Sequence, residues 1–424
     1  MKINRYVFLI SLTLISVNIY SQLSTNSPYS RFGLGNLSNS VCPEQFGLGG
    51  KSVVFCNDKV INPNNAATYS LFKSKSFLFS TSLNASVTDF QTKNLSQTES
   101  NTNFANLALG FPVNKYISVS SGLRPFSHIG YKLDYYDDTS LPDTINVSSN
   151  GAGGLSDYYF GASVKLHKNF SIGLNAKYIF GGLSRNRTAD FNNSSIFNTS
   201  SVNRTNITGM SYEGGLLFNT RLSENKNIFL GLTYTSNSDL NAKRTLIGTT
   251  YELNNSSLVI KDTFQYSSEL GKLRMPSKIS AGMMYSSEKW LFIANYSSQD
   301  WTNYRLEFGD EIQEDYFEKS TCFSSGLQYT PDYNSSTKYW KKINYRLGSR
   351  IEKSYLNLNG NQLLEKVLTL GLGIPMKKSN TFFNIAMEIG EKGTIEDDLI
   401  KEQFFRFNLG ATFKGIWFVK RKYD

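Results

Sequence analysis

Period-two alternation of apolar and polar residues recurs along most of this chain and places successive side chains on opposite faces of extended strands. Phe170, Ile172, Leu174, Ala176, Tyr178 and Phe180 share one face, with Ser171, Gly173, Asn175 and Lys177 on the other. Phe77, Phe79, Leu83, Ala85 and Val87 alternate with Ser80, Ser82, Asn84, Ser86 and Thr88, and Tyr158, Phe160, Ala162, Val164 and Leu166 with Gly161, Ser163 and Lys165. Near the C-terminus Phe405, Phe407, Leu409, Ala411 and Phe413 alternate with Arg406, Asn408, Gly410, Thr412 and Lys414. A strand of a soluble sandwich averages about 5–6 residues, whereas one that crosses a bilayer needs about 9–11. The runs are of the longer kind, so the pattern predicts an all-β fold, an antiparallel transmembrane β-barrel of about fourteen strands beyond Ser76.

Short polar breaks at Asn114-Lys115, His167–Asn169, Ser223–Lys226, Ser286–Lys289 and Lys377–Asn380 read as tight turns at one mouth. Longer stretches rich in Asn, Ser and Thr, at 94–103, 139–151, 185–206 and 237–257, read as loops at the other. The first 21 residues read as a cleaved secretory signal: Lys2 and Arg5 precede an apolar run from Tyr6 to Ile19, and Ser21 stands before Gln22. That run is shorter than the roughly 20 residues of a spanning helix.

Residues 22–74 break the alternation. Ser27–Gly35 (SPYSRFGLG), Phe46–Gly50 and Ile61–Ala67 hold too many Gly and Pro residues for a membrane strand and too many apolar ones for a disordered tail. The economical place for such a segment is the lumen, as an N-terminal plug. The barrel then spans 75–419, and a basic tail, Lys420–Asp424, follows.

Composition agrees with export to an outer membrane. Of 424 residues 40% are hydrophobic and 18% charged, while 30 Phe and 25 Tyr raise the aromatic share to 14%. The formal charge of +10 falls to about +8 without Lys2 and Arg5, an excess suited to anionic lipids and lipopolysaccharide and not to nucleic acid. Three cysteines, Cys42, Cys56 and Cys322, make a disulfide framework improbable, although a Cys42–Cys56 bridge stays open in an oxidising compartment. Their spacing matches no metal site, and nothing calls for a cofactor. Enzymatic chemistry is disfavoured: His167 lies in a turn, His128 follows Ser127 in a strand whose neighbours point apart, and no Gly-x-Ser-x-Gly elbow occurs.

The segment SPYSRFGLG, the Asn62-Pro63 and Asn65-Ala66-Ala67 element, Leu273–Pro276 before Ile279–Gly282, Trp290–Trp301, Tyr345–Gly348 and Leu368–Gly373 together resemble the outer-membrane hydrophobe transporters of the FadL/TodX type, in a Bacteroidota-like branch. The resemblance spans nearly the whole mature chain and departs in two places. Pro63 is followed by Asn64 where the family's Asn-Pro-Ala element continues, and the chain runs past Trp417-Phe418 instead of ending on an aromatic residue. It implies a fourteen-stranded barrel, closed by its plug, that takes up long-chain fatty acids or other hydrophobic compounds and releases them sideways into the membrane. On that reading Phe32, Leu34, Phe46, Leu48 and Phe55 line the apolar pocket and Asn62, Pro63, Asn65, Ala66 and Ala67 shape the plug exit. Arg124, Lys177 and Arg346, on polar strand faces, are candidates to hold a carboxylate headgroup. The rival reading is a non-transporting barrel of the same type that binds envelope protein partners, as a scaffold subunit of an outer-membrane protein secretion or assembly machine.

Overall fold

A computed structural model describes residues 25–417 apart from 39–40, 138–144, 192–195, 255–256, 310, 314–316, 336–337 and 378. The expected signal peptide and basic tail lie outside the described residues. From the N-terminus, helical turns at Pro28–Arg31, Pro43–Phe46 and Ala66–Leu71 surround a two-residue strand, β1 (Asn36–Leu37). The wall follows: β2 (Ser76–Gln91), β3 (Ser96–Pro112), β4 (Ile117–Asp137), β5 (Ile145–His167), β6 (Phe170–Phe191) and β7 (Asn198–Ser223). Next come β8 (Lys226–Thr235), β9 (Ser238–Asn254), β10 (Ser257–Met275), β11 (Lys278–Ser286), β12 (Trp290–Asp300), β13 (Arg305–Phe308) and β14 (Glu311–Gln313). The remainder are β15 (Lys319–Tyr329), β16 (Asn344–Leu358), β17 (Asn361–Pro375), β18 (Phe382–Lys392) and β19 (Lys401–Ile416).

All pairings are antiparallel, and β19 closes on β2 in unbroken register from Lys401↔Gln91 to Ile416↔Ser76. Counted with β8 and β9, β10 and β11, β12 and β13, and β14 and β15 each as one staggered strand, and with β1 set apart, the wall is a closed barrel of 14 strands. Closure is what lipid demands, because a bilayer core offers no hydrogen-bond partner to a free strand edge.

The alternation sorts as the sequence requires. Phe160, Leu174, Phe180, Leu370, Phe407 and Leu409 face outward and exposed, whereas Ser163, Asn175, Lys177, Thr369 and Asn408 are buried inside. Aromatic residues mark both edges of the apolar band. Trp417 stacks on Phe77 and Trp290 packs against Tyr329 near the mouth that carries the short turns, and Tyr158, Tyr178, Tyr212, Tyr234 and Tyr296 face outward toward the opposite edge. The five expected tight turns all fall between strands at that first mouth, the periplasmic one by analogy with barrels generally.

The expected outer loops do not hold. Residues 96–103 belong to β3, 145–151 to β5, 185–191 and 198–206 to β6 and β7, and 238–254 to β9. These Asn-, Ser- and Thr-rich stretches continue the wall above the bilayer, where no lipid imposes apolar alternation and a threonine-rich strand reads as a loop. Hence β7 reaches 26 residues while β15 and β18 stop at 11, and the barrel is tall on one side and low on the other. All three cysteines are free and buried, so the Cys42–Cys56 bridge is not formed.

Leu370 lies in the middle of the outward apolar band of β17. Leu370→Arg is expected to lower folding stability in lipid vesicles by about 2–4 kcal/mol, read from urea titrations, whereas Leu370→Ile should change it little.

Candidate functional site

The interior is shared between polar side chains of the wall and the N-terminal segment. A lumen lined by charges is costly unless each charge finds a partner, and the pairs occur in layers. Arg124 of β4 donates from Nε to Asp157 of β5 at 2.7 Å and from Nη1 to Asn64 Oδ1 at 3.0 Å. Lys177 of β6 meets Glu213 of β7 at 2.6 Å. Arg350 of β16 bridges Glu388 at 3.1 Å, Glu365 at 2.9 Å and the carbonyl of Gly49 at 3.1 Å. Arg346 donates to Gln328 and to Asn384, both at 2.8 Å, and Asn384 donates in turn to Glu44 at 3.1 Å. The three basic residues singled out from sequence therefore all point into the lumen, and each is occupied by protein.

The N-terminal segment is bonded to strands all around the wall. Asn62 donates to the carbonyls of Ser52 and Phe55, both at 3.0 Å. Asn65 donates to Val53 O at 2.8 Å and to Leu216 O of β7 at 3.1 Å, and its Oδ1 caps Ala67 N at 3.0 Å. Pro63 O accepts from Asn175 of β6 at 2.9 Å. The element that departs from the family pattern is thus a structured knot, and the departing residue, Asn64, is the one that receives Arg124. Asn295 of β12 accepts from Ser52 and from Val53 N, and Thr369 of β17 accepts from Gly49 N at 3.0 Å.

Glycine makes the tightest seat. Gly47–Gly50 lies against inward glycines of three adjacent strands, Gly326, Gly348 and Gly371. A Cβ on Gly348 would sit 2.3 Å from Gly49 N, and one on Gly371 2.8 Å from the Gly47 Cα. Gly49 and Gly50 themselves hold φ of +79° and +71°, which only glycine adopts without strain. Sequence reading missed this seam, because its only signal is a glycine at alternate positions of neighbouring strands.

Of the five apolar candidates, Leu34, Phe46, Leu48 and Phe55 are fully buried and Phe32 is half-buried. They do not converge. Leu34 joins an upper core with Ile129, Leu155, Ile207, Leu273 and Trp301, with Phe32 at its margin. Leu48 and Phe55 join a lower core with Val54, Leu217, Met284 and Ile293, and Ala67 belongs to it as well. Phe46 packs with Val41 and Ala386, and Ala66 with Tyr69, Leu78 and Tyr159. Among the described residues, two lumenal chambers measure about 170 and 180 Å³. Asn84, Asn101, Glu365, Glu388 and Arg406 edge the first beside Phe46, Phe90 and Phe104, and Lys51, Asp157, Lys177, Glu213 and Lys278 edge the second beside Ile179, Met275 and Trp301. Both are of mixed polarity and carry charged side chains.

The wall has a seam between β3 and β4. β3 pairs with β4 only from Leu107↔Leu123 to Pro112↔Ser118, and above that point the two strands part. The N-terminal segment covers the inner side of the gap. Asn36 and Leu37 pair with His128 and Ser127 of β4, Ser30 exchanges hydrogen bonds with Gly130, and Asn26 donates to Glu99 of β3 at 3.2 Å.

The barrel falls in a fold class whose solved members include proteins described as toluene transporters and a FadL homologue. The toluene transporter TbuX of Ralstonia pickettii matches with a TM-score of 0.59 at 14% identity, over 90% of this chain and 99% of that one. The toluene transporter TodX of Pseudomonas putida gives 0.58 at 15% identity, over 91% and 100%, and a FadL homologue of Pseudomonas aeruginosa gives 0.60 at 11%, over 90% and 99%. No curated protein sequence matches. Within that class the chain belongs to the BamG family, whose sequence model matches residues 3–424.

Two measurements test how firmly the segment is seated. Gly348→Val should unseat it, and limited proteolysis of protein in detergent should then cut between Gln45 and Asn57, which the native protein resists. Asp58 gives the pH counterpart. Burial opposes its charge, but Lys414 at 2.7 Å and Lys73 at 2.8 Å outweigh that and hold the carboxyl below its ordinary value. A depressed carboxylate stabilises the folded form above its unfolded pKa near about 4 and loses that contribution as the pH falls through the lower folded value. Asp58→Asn should flatten the acid limb of the thermal stability profile below about pH 4 and leave neutral pH less stable than the native protein.

Proposed function

We propose that this protein is a non-conducting barrel of the hydrophobe-channel fold that serves as a scaffold subunit of an outer-membrane protein assembly or secretion machine. The observation that carries this reading is the filling of the lumen. The apolar candidates of the N-terminal segment are divided among separate cores, the basic candidates are consumed in ion pairs and amide contacts, and the chambers described are small and lined in part by charged side chains. A long acyl chain gains roughly 0.8 kcal/mol for each CH₂ it buries, and a chamber of that size with charges in its wall gives room for few of them. Membership of the BamG family sets the chain apart from the toluene transporters whose barrel it shares. On this reading residues 22–74 form a permanent plug, residues 75–419 carry the outer wall to partners, and outer-membrane lipids and lipopolysaccharide surround the apolar band.

A second reading, uptake of fatty acids or other hydrophobic compounds with sideways release, is favoured by one specific feature, the parting of β3 from β4. There Phe32 and Leu34 would guide the chain, and Arg124, Lys177 or Arg346 would hold a headgroup after exchanging partners.

Native mass spectrometry and planar-bilayer recording separate the two. The scaffold reading expects a stoichiometric complex with other envelope proteins, no co-purified fatty acid, and a single-barrel conductance far below that of an open barrel. A retained fatty acid that is lost in Leu34→Asp, together with purification as a lone barrel, would overturn it in favour of uptake.

A further inference from the structure

Among the described residues, the tall side of the barrel ends in a strand edge that no other strand covers. β10 pairs with β9 along its whole length, from Ser257↔Asn254 to Met275↔Ser238. On its other side it meets β13 only from Gly271↔Phe308 to Arg274↔Arg305. Among the described residues, the stretch from Val259 to Leu270 therefore has no paired strand on that flank, and the backbone groups that point that way lack a ladder partner, Thr263 N–H donating to the Asp262 carboxylate at 2.8 Å. The position is outside the bilayer. β8 and β11 stop at Thr235 and Lys278, just past the outward Tyr234, and β9 and β10 rise beyond them.

Natural proteins blunt such edges with short strands, lysines, prolines or a covering element. This edge holds one lysine, Lys261, and two bulges, yet leaves large apolar side chains uncovered. Val259, Ile260, Phe264, Tyr266 and Leu270 are all exposed, Tyr266 at 72% and Leu270 at 80%, on a strand that stands in water. Two of the basic residues beside them are paired within the hairpin, Lys261 with Glu252 at 2.8 Å and Arg244 with Glu269 at 2.6 Å, while Asp262 accepts from Thr263 N–H. Bulges between Ile260 and Asp262 and between Thr263 and Gln265 twist the strand away from β9 without shielding its free flank.

We propose that the Val259–Leu270 edge of β10 is a docking edge on the outer face of the membrane, to which an extended segment of a partner protein adds as a further strand. The backbone groups would supply the pairing, and a partner strand with large apolar residues at alternate positions would cover Phe264, Tyr266 and Leu270. Lipid cannot meet that demand, since acyl chains neither donate nor accept. A second copy of this chain fits poorly as well. Two barrels in one membrane are related by rotation about the membrane normal, so their β10 strands both run the same way. With each tilted by about 35–45°, they would cross at roughly twice that angle, whereas paired strands twist by only about 20–25°. A flexible strand of a different protein has no such constraint. The inference deepens the scaffold reading by naming the side and the mode of partner binding, and it rests on that reading.

The test uses the complex purified from native membranes and, alongside it, the isolated barrel in detergent. Amide hydrogen exchange across 259–270 should slow at least ten-fold in the complex at alternate residues, those whose N–H points away from β9. A photo-crosslinker at Tyr266 or Leu270 should capture one partner through a segment that crosslinks at every second residue, while one at the lipid-facing Leu409 should not. Phe264→Lys combined with Tyr266→Lys should reduce recovery of that partner at least ten-fold while the barrel keeps its heat-modifiable mobility. A stoichiometric complex in which 259–270 exchanges as fast as in the isolated barrel would overturn the edge and leave the scaffold reading standing. Crosslinking to a second copy of the chain alone would overturn the assignment of a different partner. Absence of any stoichiometric partner would overturn both.

Discussion

Lipid offers a polypeptide no hydrogen bonds, and the closed ladder from β2 round to β19 is the answer to that condition. Closure with period-two strands turns every second residue outward to acyl chains and leaves the other half inside. The outward half is satisfied by being apolar. The inward half is satisfied only if its Arg, Lys, Glu and Asn side chains find partners, and fourteen strands enclose more space than wall side chains alone can fill. Part of that demand is met by the N-terminal segment: Gly49 O, Asn64, Glu44 and Ser52 each add a hydrogen bond to a buried wall residue, Arg350, Arg124, Asn384 and Asn295. The segment is thus held by the wall's unmet polarity as much as by its own apolar packing.

The alternating runs were legible because lipid writes them. Where Phe170–Phe180 or Phe405–Phe413 crosses the bilayer, one face must be oily, and the faces read from sequence are the faces found. Above the aromatic belt this pressure ends. β9 holds Thr245, Leu246, Ile247, Gly248, Thr249 and Thr250 in succession, a stretch with strand-forming residues but no clean period, and it reads as loop. The height of the wall is fixed by pairing between neighbours distant in sequence, such as Asn198 with Tyr251, and no local pattern carries that information.

For the site, the facing of Arg124, Lys177 and Arg346 followed from parity along a strand, which is a local property. Their partners did not follow, since Asp157, Glu213 and Asn384 are chosen by the register of a neighbouring strand and the height of each pair. The same limit hid the seat for Gly47–Gly50: Gly326, Gly348 and Gly371 lie on three strands and meet one backbone only after the wall is folded. Phe32, Leu34, Phe46, Leu48 and Phe55 looked like one lining because they lie close in sequence. The irregular path of that segment carries them to different heights and different neighbours.

A lumen stabilised in this way is hard to reconcile with an interior that must open and close. Withdrawing the segment would strip Arg350 of Gly49 O and Arg124 of Asn64, leave the glycines of β15, β16 and β17 facing a void, and expose two apolar cores at once. The ion pairs to Glu388, Glu365 and Asp157 would remain, but leaving a buried donor without its acceptor typically costs about 1–3 kcal/mol, and these losses would fall together. Variation among proteins on this barrel can then act most freely where no such constraint applies, at the seam between β3 and β4 and along the rim that rises above the bilayer. The rim is where this chain has spent residues that membrane insertion does not require, since β9 and β10 continue as paired strands well past the breaks at which β8 and β11 end. Long paired strands in water with apolar side chains exposed on a free edge stabilise nothing within the isolated barrel. Their cost in solvation is offset only when another surface covers them, and on the proposed scaffold reading that places the working face of the molecule outside its own lumen.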